Sequence, residues 1–327
     1  MADVFTQLSD IVKAEAFGGY VNTDSIEKNP LFKAGLVEAD PDFAAAIARN
    51  GGTTHQTVLV PNMFDLDGDP EDLVDGQPTQ SDKVRTGAEI LPAIGKIKSF
   101  AFYDSTTDLT GADPARRIAS RFGDYWSRYN KRFMFSALKG AFGVAGMADN
   151  ILDVSGESDP ILSDDYVQDA FQLLGDNKDT LTTILCHSAV GKRLKKIGQS
   201  IYVQNPSSGG VRLNDYNGKP ILEDDFLAPD ENGVYPVYIF GHGALVMNPL
   251  PCVNEYEPER QASYSRTKII TRKRFVIGPR GFAYTVPAQR AVAANGATNA
   301  ELETAANWSL VWEPKRIPLV KLLCMIA

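Results

Sequence analysis

The stretch DPARRIASRFGDYWSRYNKRFMFSALK, residues 113–139, decides how the rest of the chain is read. Asp113-Pro114 supplies an N-cap acceptor followed by the imino acid favoured at the first helical position. Apolar side chains then recur at Ala115, Ile118, Ala119, Phe122, Tyr125, Trp126, Tyr129, Phe133, Ala137 and Leu138. Steps of three and four place them on one stripe of an α-helix. The opposite face carries Arg116, Arg117, Arg121, Asp124, Arg128, Lys131, Arg132 and Lys139. Gly140 and Gly143 are expected to end the helix. At 1.5 Å per residue it is about 40 Å long, far beyond the usual three turns. Gly123 is its weak point, costing about 1 kcal/mol relative to alanine. A solitary long amphipathic helix in a chain rich in strand patterns reads as a scaffold beam.

Outward from it, composition sets bounds. The 327 residues are 43% hydrophobic and 23% charged, enough for two packed regions or one large irregular one. A net charge of −8 excludes a surface made throughout for nucleic acid, though not a local basic face. Cys186, Cys252 and Cys324 form no close pair, which argues against a disulfide framework or a structural zinc site and for a reducing compartment. Asp3 and Asp10 interrupt what a signal peptide would need, and no run of eighteen apolar residues offers a membrane span, so a soluble protein is expected.

Upstream, residues 4–17, Ser25–Phe32 and Pro41–Arg49 have short helical patterns separated by Gly and Pro. None folds alone, so residues 1–50 read as an arm that packs on its own chain or on a neighbour. Residues 55–61 and Lys96–Tyr103 read as strands around a long polar excursion marked by Gly and Pro. The excursion carries Asp65, Asp67, Asp69, Glu71, Asp72 and Asp75. A calcium loop starting at Asp65 needs Gly at its sixth position and Glu at its twelfth, where Pro70 and Gly76 stand. The run therefore reads as a solvated acidic loop or as a partner for another subunit.

Downstream, helices over Asp165–Gly175 and from a Ser188 cap to Ile197 flank a buried-type strand, Leu181–Cys186. Asn217-Gly218 marks a hairpin between Val211–Leu213 and Pro220–Leu222. Val237–Phe240 and Ala244–Met247 read as strands around Gly241-His242-Gly243. From residue 255 the texture becomes a long antiparallel ribbon: strands Ala262–Thr271 and Lys273–Ile277, a Gly278–Gly281 turn, then Phe282–Val286. It carries Arg266, Lys268, Arg272, Lys273 and Arg274 with no acid among them. Trp308–Trp312 and Ile317–Ile326 read as final strands in a core.

Chemistry is sparse. His187 follows Cys186, but neighbours on a strand point to opposite faces, a poor geometry for a dyad. His242 sits between glycines as a turn residue would. A hydrolase centred on either histidine is the remote alternative. Glu223-Asp224-Asp225 lacks a matching ligand for a metal. No nucleotide-binding, metalloprotease or nucleophile-elbow motif occurs. No catalytic, cofactor or metal residue is assigned. The basic ribbon and the basic helix face are suited to phosphates by non-specific contact, or to the acidic loop of a neighbour.

In order, the arm, hairpin, long helix, LTTILCHSAVGKRLKKIG, VRLNDYNGKPILEDDF, YIFGHGALV and RTKIITRKRFVIGPRGFAYT resemble the major capsid protein of tailed bacteriophages, whose fold is shared with encapsulin shells. The resemblance spans nearly the whole chain through element order and spacing. It implies an α+β capsid fold: an N-terminal arm (1–50), an extended hairpin loop (51–104), a peripheral domain (105–160 and 251–290, spine helix 113–142) and an axial domain (161–250 and 291–327). It implies a non-enzymatic shell subunit, forming hexamers and pentamers of an icosahedral virion capsid assembled in the host cytoplasm. Scaffolding, portal and decoration proteins and packaged DNA are the implied partners, with no membrane. A cargo compartment of the encapsulin type is the alternative. The assembly contacts it points to are Asp65, Asp67, Asp69, Glu71 and Asp72 on the loop, Arg116, Arg121 and Arg128 on the helix, and Arg272 and Arg274 on the ribbon.

Overall fold

A computed structural model describes residues 31, 34–50, 55–61, 86–105, 114–197, 200–204, 212–216, 218–285 and 296–326. The expected helix over residues 4–17 and the acidic run from Asp65 to Asp75 lie outside them. Val37–Glu38 (β1) precedes the helix Pro41–Asn50 (α1) and the strand His55–Pro61 (β2). Thr86–Tyr103 (β3) is 18 residues long and leads to the helix Pro114–Phe142 (α2), 29 residues long. Next come Ile151–Asp153 (β4), Asp164–Gln172 (α3), Leu181–Cys186 (β5) and Ser188–Lys196 (α4). Strands Ser200–Gln204 (β6), Arg212–Tyr216 (β7), Lys219–Glu223 (β8), Tyr235–Gly241 (β9) and Leu245–Pro249 (β10) follow. Tyr256–Gln261 (β11) and Arg266–Pro279 (β12) form the ribbon, and Phe282–Tyr284 (β13), Asn299–Glu303 (α5), Trp308–Leu310 (β14) and Leu319–Cys324 (β15) complete the order.

Two sheets organise these elements. The first runs β1-β10-β12-β3-β13-β14, with β11 added to β12 and β2 to β3; the second runs β4-β15-β9-β5-β8-β7-β6. The long helix α2 packs against both. In its first described half one stripe is buried: Phe122 and Trp126 join Tyr256 and Ile269 of the first sheet. Trp126 Nε1 donates to Thr271 Oγ1 at 3.2 Å, so the one polar atom of that ring is satisfied. In its second half Phe133, Met134, Phe135, Ser136, Ala137 and Leu138 are all buried in succession. A helix buried all round lies inside a core. Here that core joins Ile94, Phe275 and Ile277 of the first sheet to Leu185, Tyr238, Phe240 and Leu319 of the second. The second sheet is covered on its other face by α3 and α4, through Val167, Phe171, Val190 and Leu194 against Val237 and Ile239. Adjacent β9 residues thus alternate between two cores, as the strand period requires.

Several expectations are corrected. The helix runs through Gly140 to Phe142, as the expected spine over 113–142 requires, so of the two expected stops Gly143 marks its end and Gly140 does not. Gly140 is there because a Cβ would lie 2.0 Å from the Leu302 carbonyl and 2.6 Å from Trp308 Nε1, so α5 and β14 can press against the helix. The strand expected at Lys96 begins at Thr86, and its first half pairs with β2 from Thr86↔Pro61 to Pro92↔His55. The ribbon turns at Ala262–Ser265, where Ser265 takes φ 45°, and β12 is unbroken from Arg266 to Pro279. β11 was not anticipated. The sheets also cross the expected boundaries at residues 160, 250 and 290: β4 lies beside β15, whereas β10 lies beside β12 and β14 beside β13.

Substituting Gly140 with alanine is expected to destabilise the subunit by about 1–3 kcal/mol, the cost of overpacking a close-packed site. Denaturant unfolding of G140A against the wild-type subunit measures it; equal midpoints would show that α5 can retreat freely.

Candidate assembly surfaces

The segment entering the first sheet from the arm is tied down by a buried charge cluster. Asp40 precedes α1 and accepts from Arg280 Nη2 at 2.6 Å, with the carboxylate almost fully buried. Asn248 of β10 brackets the same residue, accepting from Asp40 N–H at 3.0 Å and donating to its carbonyl at 2.8 Å. Glu89 of β3 is buried and accepts from Gly281 N–H at 2.7 Å. Burial pushes its carboxyl above the usual range, against the pull of Gly281 N–H and Arg280. One arginine therefore holds the arm segment, the base of the hairpin and the end of the ribbon together. The sequence assigns no shared role to Asp40, Glu89 and Arg280, because they lie far apart in the chain and each has an ordinary local reading, Asp40 as a helix start and Arg280 as a turn residue.

The residues that were singled out for chemistry are dispersed. Glu223 pairs with Lys195 at 2.8 Å and Asp224 with Lys131 of α2 at 2.7 Å, while Asp225 accepts from Ser188 N–H at 3.4 Å. Three consecutive acids thus serve three partners, and among the described residues no cluster has metal-ligand character. His187, rather than the expected Ser188, caps α4: its Nδ1 accepts from Ala189 N–H at 3.1 Å. Cys186 is fully buried, and burial, then the Glu223 charge, pushes its thiol up to about 12, so it is held as a thiol and not as a nucleophile. His242 is an exposed turn residue 3.7 Å from Glu38.

The ribbon is less basic than its own strand implies. Glu257 and Glu259 of β11 lie alongside, pairing with Arg272 at 2.8 Å and Lys268 at 3.7 Å. Arg274 is half-buried. Arg121 and Arg128 are exposed on α2, and Arg116 lies on the same helix. Asp65, Asp67, Asp69, Glu71 and Asp72 lie outside the described residues. Between α2 and the first sheet lie lysines met by aromatic rings: Lys96 over Phe133 at 5.8 Å, Lys98 over Tyr125 at 5.3 Å, and Lys273 over Trp126 at 5.6 Å. Burial lowers the Lys273 ammonium to about 8, with Glu255 pulling the other way. At the ribbon tip Arg260 grips Asp104 with two bonds of 2.6 Å, and Arg266 stacks on Tyr264 at 5.0 Å. On the opposite side of α2, a groove of about 920 Å³ opens toward β9 and β15, lined in part by Arg132, Lys139, Phe226 and Lys321.

These are surfaces and ties, and comparison with known proteins gives the family of the chain that carries them. No family model matches the sequence. The chain is 33% identical over 321 residues to the major capsid protein of Bacillus phage SPP1, covering 97% of both proteins. Solved structures with the same fold include a chain from Mycobacterium phage Bobi (TM-score 0.54, 10% identity, 90% of each chain). The capsid of cyanophage Pam1 is similar (TM-score 0.53, 11% identity, 90% of this chain and 92% of that one). So is the SrpI encapsulin of Synechococcus elongatus (TM-score 0.52, 10% identity, 98% and 91%). The fold is that of a shell subunit, common to phage capsids and encapsulins. The chain belongs to the phage major capsid protein family, and it is a structural subunit of a virion shell. The expected resemblance holds over nearly the whole chain, and the identity lies on the phage side of the fold.

Two outcomes follow from the buried charges. R280M leaves Asp40 and Glu89 without their cation and is expected to cost about 3–5 kcal/mol in denaturant unfolding, with D40N and E89Q added recovering most of it. Lys273 acts with the opposite sign from a favourable pair. Its folded value lies below the ordinary 10.5, so the burial penalty is complete below pH 8 and fades as pH rises toward 10.5. The difference in unfolding free energy between K273M and wild type should therefore shrink across that interval, by at most about 3 kcal/mol. A pH-independent difference would contradict it.

Proposed function

We propose that the protein assembles from hexamers and pentamers of its own copies into a closed icosahedral shell around a double-stranded DNA genome. The observation that carries this reading is the relation to a phage major capsid protein along 97% of both chains. No covalent chemistry is assigned to it, in keeping with the capping role of His187 and the buried thiol beside it. The mechanism is assembly: each subunit makes several modest contacts, and a closed lattice makes them collectively strong. Scaffolding, portal and decoration proteins are the expected further partners, and assembly in the host cytoplasm is the expected route. Among the described residues no helix is long and apolar enough to cross a membrane.

Within the shell, the reading gives the hairpin excursion a neighbouring subunit as its seat. Residues 62–85 hold seven acids and two bases, whereas α2 presents exposed Arg121 and Arg128. Arg116, Arg121 and Arg128 are assigned to that acidic run (Asp65, Asp67, Asp69, Glu71, Asp72) of a neighbour or to the packaged DNA. Arg272 and Arg274 are weaker candidates, since Arg272 already has Glu257.

Electron microscopy of the expressed protein, with and without a scaffolding protein, should show closed or aberrant shells. A protein that stays monomeric under all such conditions would overturn the reading. A narrower test uses the β2–β3 pairing, which closes at Pro61↔Thr86. Replacing residues 62–85 with an Asn-Gly turn should keep the subunit folded, with an unchanged unfolding midpoint, and abolish shell formation. Shells of normal yield from that variant would remove the role given to the excursion.

A further inference from the structure

The two outer strands of the ribbon sheet treat their free edges differently. In β11, Arg272 N–H donates to Glu255 O at 2.8 Å, which sets the phase of the ladder with β12. Residues 257, 259 and 261 then bond inward, and Tyr256, Pro258 and Arg260 turn their backbone groups outward. Pro258 has no N–H to offer, which blunts that edge. On the other side, Asp104 N–H donates to Ser265 O at 3.0 Å, in register with β12 and β3. Lys96, Lys98, Phe100 and Phe102 accordingly bond to β12, while Ile97, Ser99, Ala101 and Tyr103 direct N–H and C=O away from it. Ala297 N–H caps this edge at the Ala93 carbonyl, and the pairing with β2 ends at His55↔Pro92. Among the described residues nothing pairs with the edge of β3 that faces away from β12, from Ile97 to Tyr103. The stretch contains no proline, and Ile97 is 62% exposed.

The two faces along this edge differ in chemistry. On the α2 side stand the ammonium groups of Lys96 and Lys98, with aromatic rings but no carboxylate within ion-pair distance among the described residues. On the other side stand Ile97, Ala101 and Tyr103. A strand added here must alternate acidic and apolar side chains. A second copy of β3 does not: on that side it offers only lysine and phenylalanine, and no carboxylate to meet Lys96 and Lys98. The chain holds one such alternation in its acidic run, Phe64-Asp65-Leu66-Asp67. That run leaves the hairpin beyond Pro61 and Thr86, at the end of β3 remote from Tyr103, so its own edge runs away from it.

We propose that the free edge of β3, Ile97–Tyr103, is a strand-addition site that receives Phe64–Asp67 of a neighbouring copy in the shell. Asp65 and Asp67 face Lys96 and Lys98, and Phe64 and Leu66 lie on the side of Ile97. With the acids so placed, Leu66 falls opposite Ile97 whether the added strand runs parallel or antiparallel. Main-chain bonds supply the attachment and the alternating side chains supply register. The inference rests on the shell reading and names the contact made by its hairpin.

Hydrogen exchange on wild-type protein, as subunit and as shell, tests the edge. The amides of Ile97, Ser99 and Ala101 should slow at least tenfold on assembly, while those of Lys98 and Phe100 are protected in both states. Unchanged exchange at the three odd positions in closed shells would overturn strand addition. The occupant is tested with L66C/I97C in a Cys252→Ser background, oxidised in assembled shells with diamide. Disulfide-linked multimers absent from either single variant are expected; protection of the edge without them would overturn the assignment of Phe64–Asp67. S99P, which removes only an outward N–H as Pro258 does, should leave subunit unfolding unchanged and lower shell yield at least tenfold. Normal shell yield from S99P would also overturn the site. Failure of wild type to form any shell is a different result, which rejects the shell reading itself.

Discussion

Everything in this subunit depends on the enclosure of the second half of α2. From Phe133 to Leu138 no side chain of the helix reaches water freely. The helix is the common wall of two sheets: Phe133 meets Phe275 of the first at 5.9 Å, and Phe142 meets Tyr238 of the second at 5.6 Å. Each such buried ring contributes about 1.5–3 kcal/mol relative to exposure, so separating the sheets would forfeit many of these terms at once. The first described half of the helix is held on one stripe only and keeps Arg121, Asp124 and Arg128 in solvent. The beam is thus anchored at one end and presented at the other. That is a useful division for a subunit whose central mass must stay rigid while its extended parts meet neighbours.

Charge is distributed on the same plan. Near the core, ions are used as ties: Lys131 to Asp224 between α2 and the second sheet, Arg280 to Asp40 between ribbon and arm. Pairs of this kind contribute little net stability, since desolvation offsets the attraction, but breaking one leaves a stranded charge. They therefore act as specificity devices, penalising any arrangement in which the tied segments separate. Along the ribbon, Glu257 and Glu259 screen Arg272 and Lys268, so the sheet does not repel itself. The lysines with no carboxylate at ion-pair distance among the described residues, Lys96 and Lys98, stand at the β3 edge, softened by aromatic faces.

The parts of this design that were legible in the sequence are the locally encoded ones. The stripe of α2, the strand Leu181–Cys186 and the Asn-Gly hairpin each carry their own periodicity or turn chemistry, and together their order pointed to the capsid fold. What escaped depends on partners distant in sequence. Gly140 looked like a stop because the Leu302 carbonyl that requires it is contributed by α5. The first half of β3, GAEILPAIG, hid behind two glycines and a proline that pairing with β2 overrides. β11, YEPERQ, has almost no strand propensity, and only the register with β12 makes it a strand. His187 displaced Ser188 as the cap because a ring nitrogen, not a hydroxyl, met the free N–H. The cluster of Asp40, Glu89 and Arg280 spans most of the chain and had no local signature at all.

The contrast between the two ribbon edges bears on how a capsid subunit stays soluble before assembly. An open strand edge is a hazard, and proline or inward-pointing charge are the usual remedies. β11 has the proline. β3 has instead two lysines turned toward α2, which find no carboxylate on a second copy of the same edge and are met by a strand that brings them. The first remedy forbids pairing; the second makes it conditional on the partner's charge. A subunit destined for a closed lattice needs an edge of the second kind, because its contacts must be refused to identical surfaces and offered to complementary ones. The same logic accounts for an acidic loop in a chain whose exposed helix face is basic: self-complementarity between different surfaces of one molecule, rather than a match of like to like, is what lets copies propagate into a shell.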